Sequence, residues 1–150
     1  MGVTAIKRIR NESQCRFGIS STEGWEAGAY TYFGPRSSRS VDIWIPWATT
    51  EDEWENHRLR ALAYGKRADG TTVLLRSYAI WQGVQVDRVD RVRCTYAEAT
   101  RAADGSVRYA ASDTAPYVNP GAFIPGVSRV NGDRVLYVHP DLSIELTTNL

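Results

Sequence analysis

Aromatic side chains are the residues of this sequence whose number and spacing point most clearly to chemistry. The 150-residue chain contains five tryptophans and eight tyrosines, more than the core of a small protein requires. Indole and phenol rings stack on the apolar faces of sugars or on flat hydrophobic ligands, while nearby Asp, Asn and Arg side chains orient the ligand. The composition therefore favours a protein that binds a small molecule or a glycan through aromatic residues.

The candidate binding residues are aromatic side chains outside the expected aliphatic core, together with polar side chains near them. Several lie in two stretches rich in glycine and proline, residues 20–40 and 112–126, where loops often display binding residues on a rigid scaffold. Two others, Trp44 and Trp81, each follow an isoleucine in a strand-like segment. The predicted ligand-binding residues are Trp25, Tyr32, Arg36, Asp42, Trp44, Trp81, Asp113, Tyr117 and Asn119.

Other kinds of site find little support in the sequence. Nucleophilic catalysis needs a nucleophile, a base and an orienting group, and His57 and His139 lie in no recognisable catalytic signature. His139 is instead predicted to end a strand at a turn. Two distant histidines without a Cys-x-x-Cys pair lack the spacing of metal ligands, so we predict neither a metal nor a cofactor, and the catalytic residues, if any, stay unidentified.

Charge and hydropathy narrow the class of partner. The chain has 18 basic and 17 acidic residues, a net charge of +1, and no basic stripe for a phosphate backbone, so a nucleic-acid partner is not expected. No apolar run is long enough to cross a bilayer and no leader precedes the first strand-like segment. We therefore expect a cytoplasmic protein without a membrane partner.

Cys15 and Cys94 alternate with apolar residues and are predicted to be buried thiols. The sequence leaves open whether they pair and what the oligomeric state is.

Residues 41–47 are the strand around which we expect the chain to be organised. One face of this strand carries Val41, Ile43, Ile45 and Trp47, and the other carries Asp42, Trp44 and Pro46. The first face suits a core, and Trp47, like Tyr96 elsewhere, is in phase with aliphatic residues and is assigned to the interior. The second face is either covered by another layer or exposed, and its proline favours an edge strand or a strand end.

The remaining elements are predicted to be short strands joined by turns. Residues 5–19 read as a hairpin with a bulge between Ile6 and Ile9, and Asp69-Gly70 and Asp104-Gly105 are hairpin turns. Thr50, with Glu53 three residues later, predicts the start of a helix of one or two turns with solvated carboxylates. About 10 to 12 short strands with almost no helix indicate an all-β fold.

A weak internal repeat refines this fold prediction. The first hairpin recurs with the same spacing in two later segments: Ile6 and Ile9 correspond to Leu59 and Leu62, and Ile6, Arg8, Ile9, Cys15 and Phe17 correspond to Val127, Arg129, Val130, Leu136 and Val138. In this architecture the chain resembles the β-trefoil, and the resemblance implies a closed barrel in one domain spanning residues 1–150. The alternative is a Greek-key or jelly-roll sandwich.

The leading functional hypothesis is a non-catalytic, lectin-like module that binds carbohydrate through loop aromatics. A first alternative is a small cytosolic enzyme, of the cyclase or isomerase type, whose aromatic-lined apolar pocket encloses the substrate and whose buried carboxylate or tyrosine acts as proton donor. A second alternative is a protease inhibitor that presents residues 112–126 as its loop. A lectin predicts shallow, exposed sites, whereas the enzyme predicts an enclosed cavity.

Overall fold

Strands dominate the described part of the chain. The computed structural model describes residues 3–21, 30–84, 88–98, 100–101, 107–108, 115–118 and 121–148. Its strands are β1 (Thr4–Asn11), β2 (Arg16–Ser21), β3 (Thr31–Phe33), β4 (Ser37–Trp44), β5 (Leu59–Lys66), β6 (Thr72–Val84), β7 (Asp90–Glu98), β8 (Thr100–Arg101), β9 (Val107–Arg108), β10 (Ala122–Phe123), β11 (Gly132–Val138) and β12 (Ile144–Thr147). One short helix, α1 (Glu51–Asn56), lies among them. The all-β prediction is confirmed.

The strands form two main sheets. Sheet A has four strands in the order β12-β11-β1-β4, and sheet B has six in the order β10-β7-β6-β5-β2-β3. Strands β8 and β9 form a separate antiparallel pair, on either side of the predicted Asp104-Gly105 turn. Neither main sheet closes on itself, so the closed barrel implied by the β-trefoil resemblance is wrong.

The first two strands show why no barrel forms. They were predicted to pair as a hairpin, but β1 pairs with β4 and β11 in sheet A, whereas β2 pairs with β3 and β5 in sheet B. The buried Asn11 side chain holds this crossing, because its Nδ2 donates to the carbonyl oxygens of Cys15 at 2.8 Å, Phe33 at 3.2 Å and Gly34 at 3.0 Å. The polar turn therefore passes the chain from one sheet to the other.

One apolar core fills the space between the two sheets. Because each main sheet contributes buried side chains to the same cluster, they pack face to face as the layers of a sandwich do. Members from sheet A are Ile6, Ile9, Leu136, Val138, Ile144 and Leu146, and members from sheet B include Phe17, Ile19, Leu59, Ala61, Tyr78, Ile80, Val92 and Cys94.

Several local predictions are confirmed. The register of β1 shifts between Ile6 and Arg8, as expected for a bulge. Antiparallel β5 and β6 flank the Asp69-Gly70 turn. Helix α1 has Thr50 as its N-cap, with the Thr50 side chain accepting from the Glu53 N–H at 3.2 Å. The acidic side chains of this helix are exposed.

Helix α1 covers part of the second face of sheet B. Its only buried residue, Trp54, packs against Ala79 and Trp81 of β6 and against Ala48 and Ala115 in a cluster separate from the main core. Sheet B is therefore buried on both faces near the middle of β6. Among the described residues no helix has the length and apolar character needed to cross a bilayer.

Cys94 and His139 lie where the sequence predicts them, and Cys15 does so only in part. Both cysteines are free; Cys94 is buried, as predicted, whereas Cys15 is only half-buried. Burial raises the pKa of Cys94 to about 11. His139 follows the last residue of β11 and begins the turn to β12, as its sequence context predicted, and its Nε2 lies 2.9 Å from Oε1 of Glu145.

Candidate functional site

An aromatic cleft opens where the edge of sheet A meets β6, and we call it the Trp44 cleft. It has a volume of about 310 Å³. Its lining consists of Val3, Trp44, Ile45, Pro46, Trp47, His57 and Gln82. Two indoles and an imidazole therefore surround a small open volume.

Trp44 is exposed because of its place in the sheet. It is the last residue of β4, which forms an edge of sheet A, and its side chain points away from the face that Val41 and Ile43 turn towards the core. The side chain is 66% exposed. Pro46 lies beyond the end of the strand, as the sequence predicted, and is buried, whereas Asp42 and Trp44 are exposed. The second strand face is therefore open to solvent at these two residues.

Buried hydrogen bonds hold the base of the Trp44 cleft. The Gln82 side chain, 1% exposed, donates from Nε2 to the Ile45 carbonyl at 2.6 Å and accepts from Thr4 Oγ1 at 2.7 Å. Main-chain bonds join Gln82 N to the Pro46 carbonyl and Ala48 N to the Gln82 carbonyl, both at 2.9 Å. The cleft is thus fixed to both sheets. Trp47, predicted to lie in the interior, is only half-buried here.

A polar group lies on the same strand face as Trp44. Asp42 is two residues before Trp44 and so points to the same side, and its Oδ1 accepts from Lys7 Nζ at 2.6 Å. This hydrogen bond raises the pKa of Lys7. Further along the same face, the Arg8 guanidinium donates to the hydroxyls of Ser38 and Ser40, both at 3.1 Å.

A second cleft lies on the outer face of sheet B, and we call it the Tyr117 cleft. It has a volume of about 480 Å³. Its lining consists of Glu51, Trp54, Glu55, Arg58, Ala97, Ala115, Pro116 and Tyr117. The Tyr117 ring lies 5.4 Å from the Trp54 ring and 5.9 Å from the Trp81 ring, centroid to centroid.

Arg58 ties this cleft to the end of α1. Its Nη1 donates to the carbonyls of Trp54 at 2.9 Å and Glu55 at 2.7 Å, and its guanidinium lies 4.3 Å from the Trp54 ring centroid. A cation near the helix C-terminus stabilises the last carbonyls of the helix. Because Arg58 is itself buried, it holds one wall of the cleft in place.

Trp81 was predicted to contact a ligand, but it does not reach the surface. Its side chain is fully buried, since α1 and residues 115–117 cover the face of β6 on which it stands. Its ring packs edge-on against Trp54, with the centroids 6.1 Å apart. Trp81 is therefore a core residue beneath the Tyr117 cleft.

Arg36 and Tyr32 lie away from both aromatic clefts. Arg36 lines a third and polar cleft of about 590 Å³ with Arg10, Asn11, Glu12, Ser37 and Ser38. Tyr32, 39% exposed, lies over Gly18, where an added Cβ would be 2.6 Å from its ring, and the Arg16 guanidinium lies 4.1 Å from its ring centroid.

The predicted binding residues thus do not converge on one site. Asp42 and Trp44 share one strand face, and Tyr117 and Trp81 share one aromatic cluster, whereas Arg36 and Tyr32 lie elsewhere. Trp25, Asp113 and Asn119 lie outside the described residues.

The sequence reasoning missed Val3, His57, Trp54 and Arg58 as lining residues. Trp54 had a usable signal, since it is the one large apolar residue in an acidic helical segment and must therefore point inward. The other three reach the clefts through tertiary packing, which no local pattern encodes.

The described part of the chain shows no arrangement of metal ligands, and its two most strongly shifted pKa values belong to core residues. No group of three or more His, Cys, Asp or Glu side chains there could hold a metal ion. Burial raises the pKa of Tyr78, whose hydroxyl donates to the Leu142 carbonyl at 2.6 Å in the core. These shifted groups, Cys94 and Tyr78, point to the core and line neither aromatic cleft.

Comparison with protein-family models, curated proteins and solved structures finds no match for this chain.

Proposed function

We propose that this protein is a carbohydrate-binding module on a two-sheet scaffold of the sandwich type, with the Trp44 cleft as its sugar site. The observation that carries the proposal is the 66% exposure of the Trp44 indole on the wall of a cleft. An exposed indole costs hydration free energy, and large apolar side chains grouped at a surface cleft are typical of binding sites. A sugar ring stacked on it would remove that surface from water.

Polar groups suited to sugar hydroxyls lie beside the indole. The Asp42 carboxylate, two residues before Trp44 on the same strand face, accepts hydrogen bonds, and the Lys7 ammonium, 2.6 Å from it, donates them. His57, which lines the cleft, adds an exposed imidazole, which can donate or accept. A pyranose presents an apolar face for the ring and hydroxyls for these side chains.

Preorganisation also supports this site. Gln82 is bonded to Ile45 and Thr4, so the base of the Trp44 cleft does not need to be ordered when a ligand binds. Binding then loses less conformational entropy.

The alternatives gain no specific observation. The enzyme hypothesis predicts an enclosed cavity with a buried carboxylate or tyrosine as proton donor. Every Asp and Glu whose side chain is described is exposed or half-buried, and the buried Tyr78 lines neither aromatic cleft. The inhibitor hypothesis concerns residues 112–126, of which 112–114 and 119–120 lie outside the described residues.

A glycan array followed by calorimetry with the best glycan tests the proposal. Trp44→Ala should weaken binding by about tenfold or more, because about 1.4 kcal/mol of lost stacking corresponds to that factor. Tyr96→Ala is the matched control, since Tyr96 is 55% exposed but lies on β7, away from the cleft. An array without hits, or equal losses in the two variants, would overturn the proposal.

A further inference from the structure

The geometry points to an acidic group on the carbohydrate ligand, a carboxylate or a sulfate, which binds in the polar cleft that Arg36 lines. We call this the Arg36 cleft, and its described lining consists of Arg10, Asn11, Glu12, Arg36, Ser37 and Ser38. The inference rests on the proposed function for its ligand class and adds the charge of the ligand. It depends on residues at the start of β4, whereas Trp44 ends that strand.

Strand pairing brings the two arginines of the Arg36 cleft together. The end of β1 runs antiparallel to the start of β4, with Arg10 opposite Ser38 and Asn11 opposite Ser37, and Arg36 immediately precedes β4. The buried Asn11 side chain bonds to three carbonyl oxygens and so fixes the turn that follows β1. The wall that carries Arg10 is therefore ordered before a ligand binds.

Arg10 has hydrogen-bond donors that the protein does not use. Its guanidinium lies 5.4 Å from the Tyr137 ring centroid, but none of its donors bonds to another residue in the described ranges, and its Nε is buried without a partner. Because the half-buried Arg10 side chain lines the cleft, its Nη atoms are the donors available to a ligand. A planar guanidinium matches the paired oxygens of a carboxylate or sulfate.

Arg36 supplies a second guanidinium, which Gln14 orients. With the Gln14 amide turned so that its oxygen faces Arg36, this oxygen accepts from Nε at 3.1 Å and from Nη2 at 2.5 Å. The Arg36 side chain is exposed, and its Nη1 remains to donate to a ligand. Two guanidinium groups from neighbouring segments can therefore bind one oxyanion.

The charges of the lining favour an acidic ligand. Arg10 and Arg36 are cations, and Glu12 is the one carboxylate among the described lining residues. Glu12 is exposed, and within the described part of the chain no ion pair joins it to either arginine. Arg8, which bonds to the Ser38 and Ser40 hydroxyls, adds a further cation beside the cleft. An oxyanion therefore meets net positive charge here even with Glu12 counted.

The outer face of β4 joins the Arg36 cleft to the Trp44 cleft. Ser38, Ser40, Asp42 and Trp44 are exposed along this face, and the segment from Ser38 to Trp44 spans about 20 Å. An oligosaccharide of several units covers such a span, with one unit stacked on Trp44 and an acidic unit at the arginines. Asp42, paired with Lys7, leaves the Trp44 end without net positive charge. A nucleic acid, with a phosphate at every unit, therefore fits this face less well than a glycan that is acidic at one end.

An array of glycan pairs that differ by one acidic substituent tests the inference, at about 150 mM salt, where distant charges are screened. The pairs are sialylated and neutral lacto-N-tetraose, sulfated and neutral lacto-N-tetraose, and xylotetraose with and without a glucuronate branch. In at least one pair the acidic member should bind about tenfold more tightly in calorimetry, because arginine donates charge-assisted hydrogen bonds to it. The carboxylate and sulfate pairs distinguish the two kinds of acidic group.

Arg10→Gln and Arg36→Gln each remove one cation from the cleft. Either variant should weaken binding of the acidic glycan about fivefold or more, while binding of its neutral partner stays unchanged. Arg39→Gln is the matched control, because Arg39 is exposed on the same strand but lies on the opposite face, where its Nη2 donates to the Tyr32 carbonyl at 3.1 Å. The urea midpoint of each variant checks that it still folds, and the exposed Arg36 provides the test if Arg10→Gln does not.

The outcomes are separable from those of the proposed function. Glycans that need Trp44 but bind equally with and without the acidic group would support the Trp44 cleft and overturn this inference. An acidic preference that is lost in Arg36→Gln and unaffected by Trp44→Ala would support the Arg36 cleft and overturn the Trp44 cleft as the sugar site. The inference is also overturned if Arg39→Gln loses as much affinity as Arg36→Gln, or if a single-stranded oligonucleotide binds as tightly as the acidic glycan.

Discussion

Trp44 and Trp81 occupy similar places in the sequence and opposite places in the molecule. Each follows an isoleucine in a strand, and each points away from the core face to which Ile43 and Ile80 contribute. Trp44 is 66% exposed and Trp81 is fully buried. Local sequence therefore sets the direction of an indole but not whether another layer covers it.

The position of the strand within its sheet explains the difference. Strand β4 is an edge of sheet A, and along its outer face Ser38, Ser40 and Asp42 are exposed beside Trp44. Strand β6 lies inside sheet B, where α1 and residues 115–117 cover the outer face. An indole on an uncovered edge strand can bind a ligand directly, whereas one beneath a second layer contributes to stability.

Replacing each tryptophan by alanine tests this contrast most strongly. Trp81→Ala should lower the free energy of unfolding by about 3–5 kcal/mol, because it leaves a cavity among packed rings. Trp44→Ala should change it by no more than about 0.5 kcal/mol. Urea denaturation measures both free-energy changes, and an unchanged m-value shows that unfolding stays two-state. Equal losses in the two variants would contradict the assignment of Trp81 to the interior and of Trp44 to the surface.

The free energy of unfolding should fall at alkaline pH because of Cys94, which lies on the core face of sheet B, behind Trp81. Burial raises the pKa of Cys94 from 9.0 to about 11, so between these values the unfolded chain loses the thiol proton while the folded chain keeps it. Stability conferred by this group is therefore complete below pH 9 and falls by about 2–3 kcal/mol as the pH rises to 11.

Cys94→Ala should flatten this part of the stability profile, measured by urea denaturation at several pH values. Tyr78, whose pKa burial also raises, still contributes a decline at higher pH. Cys15→Ala is the control, since its half-buried thiol should contribute less. An unchanged slope in Cys94→Ala would show that water reaches this face of sheet B.

Replacing Gly121, which lies against the Trp81 ring, should have the smallest of the expected effects on stability. Gly121 has φ +73°, and an added Cβ would lie 2.8 Å from the Trp81 ring, whereas Gly70 has φ +86° with nothing within 4 Å. Both Gly→Ala variants acquire backbone strain, but only Gly121→Ala also overpacks. We expect Gly121→Ala to be less stable than Gly70→Ala by about 1 kcal/mol in the same denaturation assay. Equal free energies of unfolding would show that the loop over Trp81 shifts to accommodate the added methyl group.

Elements set by short-range interactions could be predicted from the sequence. The Thr50 cap, the Asp69-Gly70 turn and the bulge after Ile6 each depend on neighbours a few residues away. The predicted hairpin of β1 and β2 was wrong because each strand pairs with strands far along the chain instead, β1 with β4 and β11 and β2 with β5.

The candidate site was predicted only in part for the same reason. Exposed Trp44 and the lining residue Tyr117 were selected by composition and loop context. Trp81 was misassigned because the pattern around it does not show that α1 folds back over β6, and Tyr96, assigned to the interior, is 55% exposed.

By itself, the sequence determined that the chain forms strands, which face of each strand is apolar, and that the aromatic residues exceed what the aliphatic core needs. These properties follow from side-chain alternation and local turn chemistry, which act over a few residues. The tertiary structure alone decided which strands share a sheet, which sheet face is covered, and which indole meets solvent. Those outcomes depend on the packing of layers between residues far apart in the chain, where burial of apolar area and satisfaction of hydrogen bonds select one arrangement among many with the same local pattern.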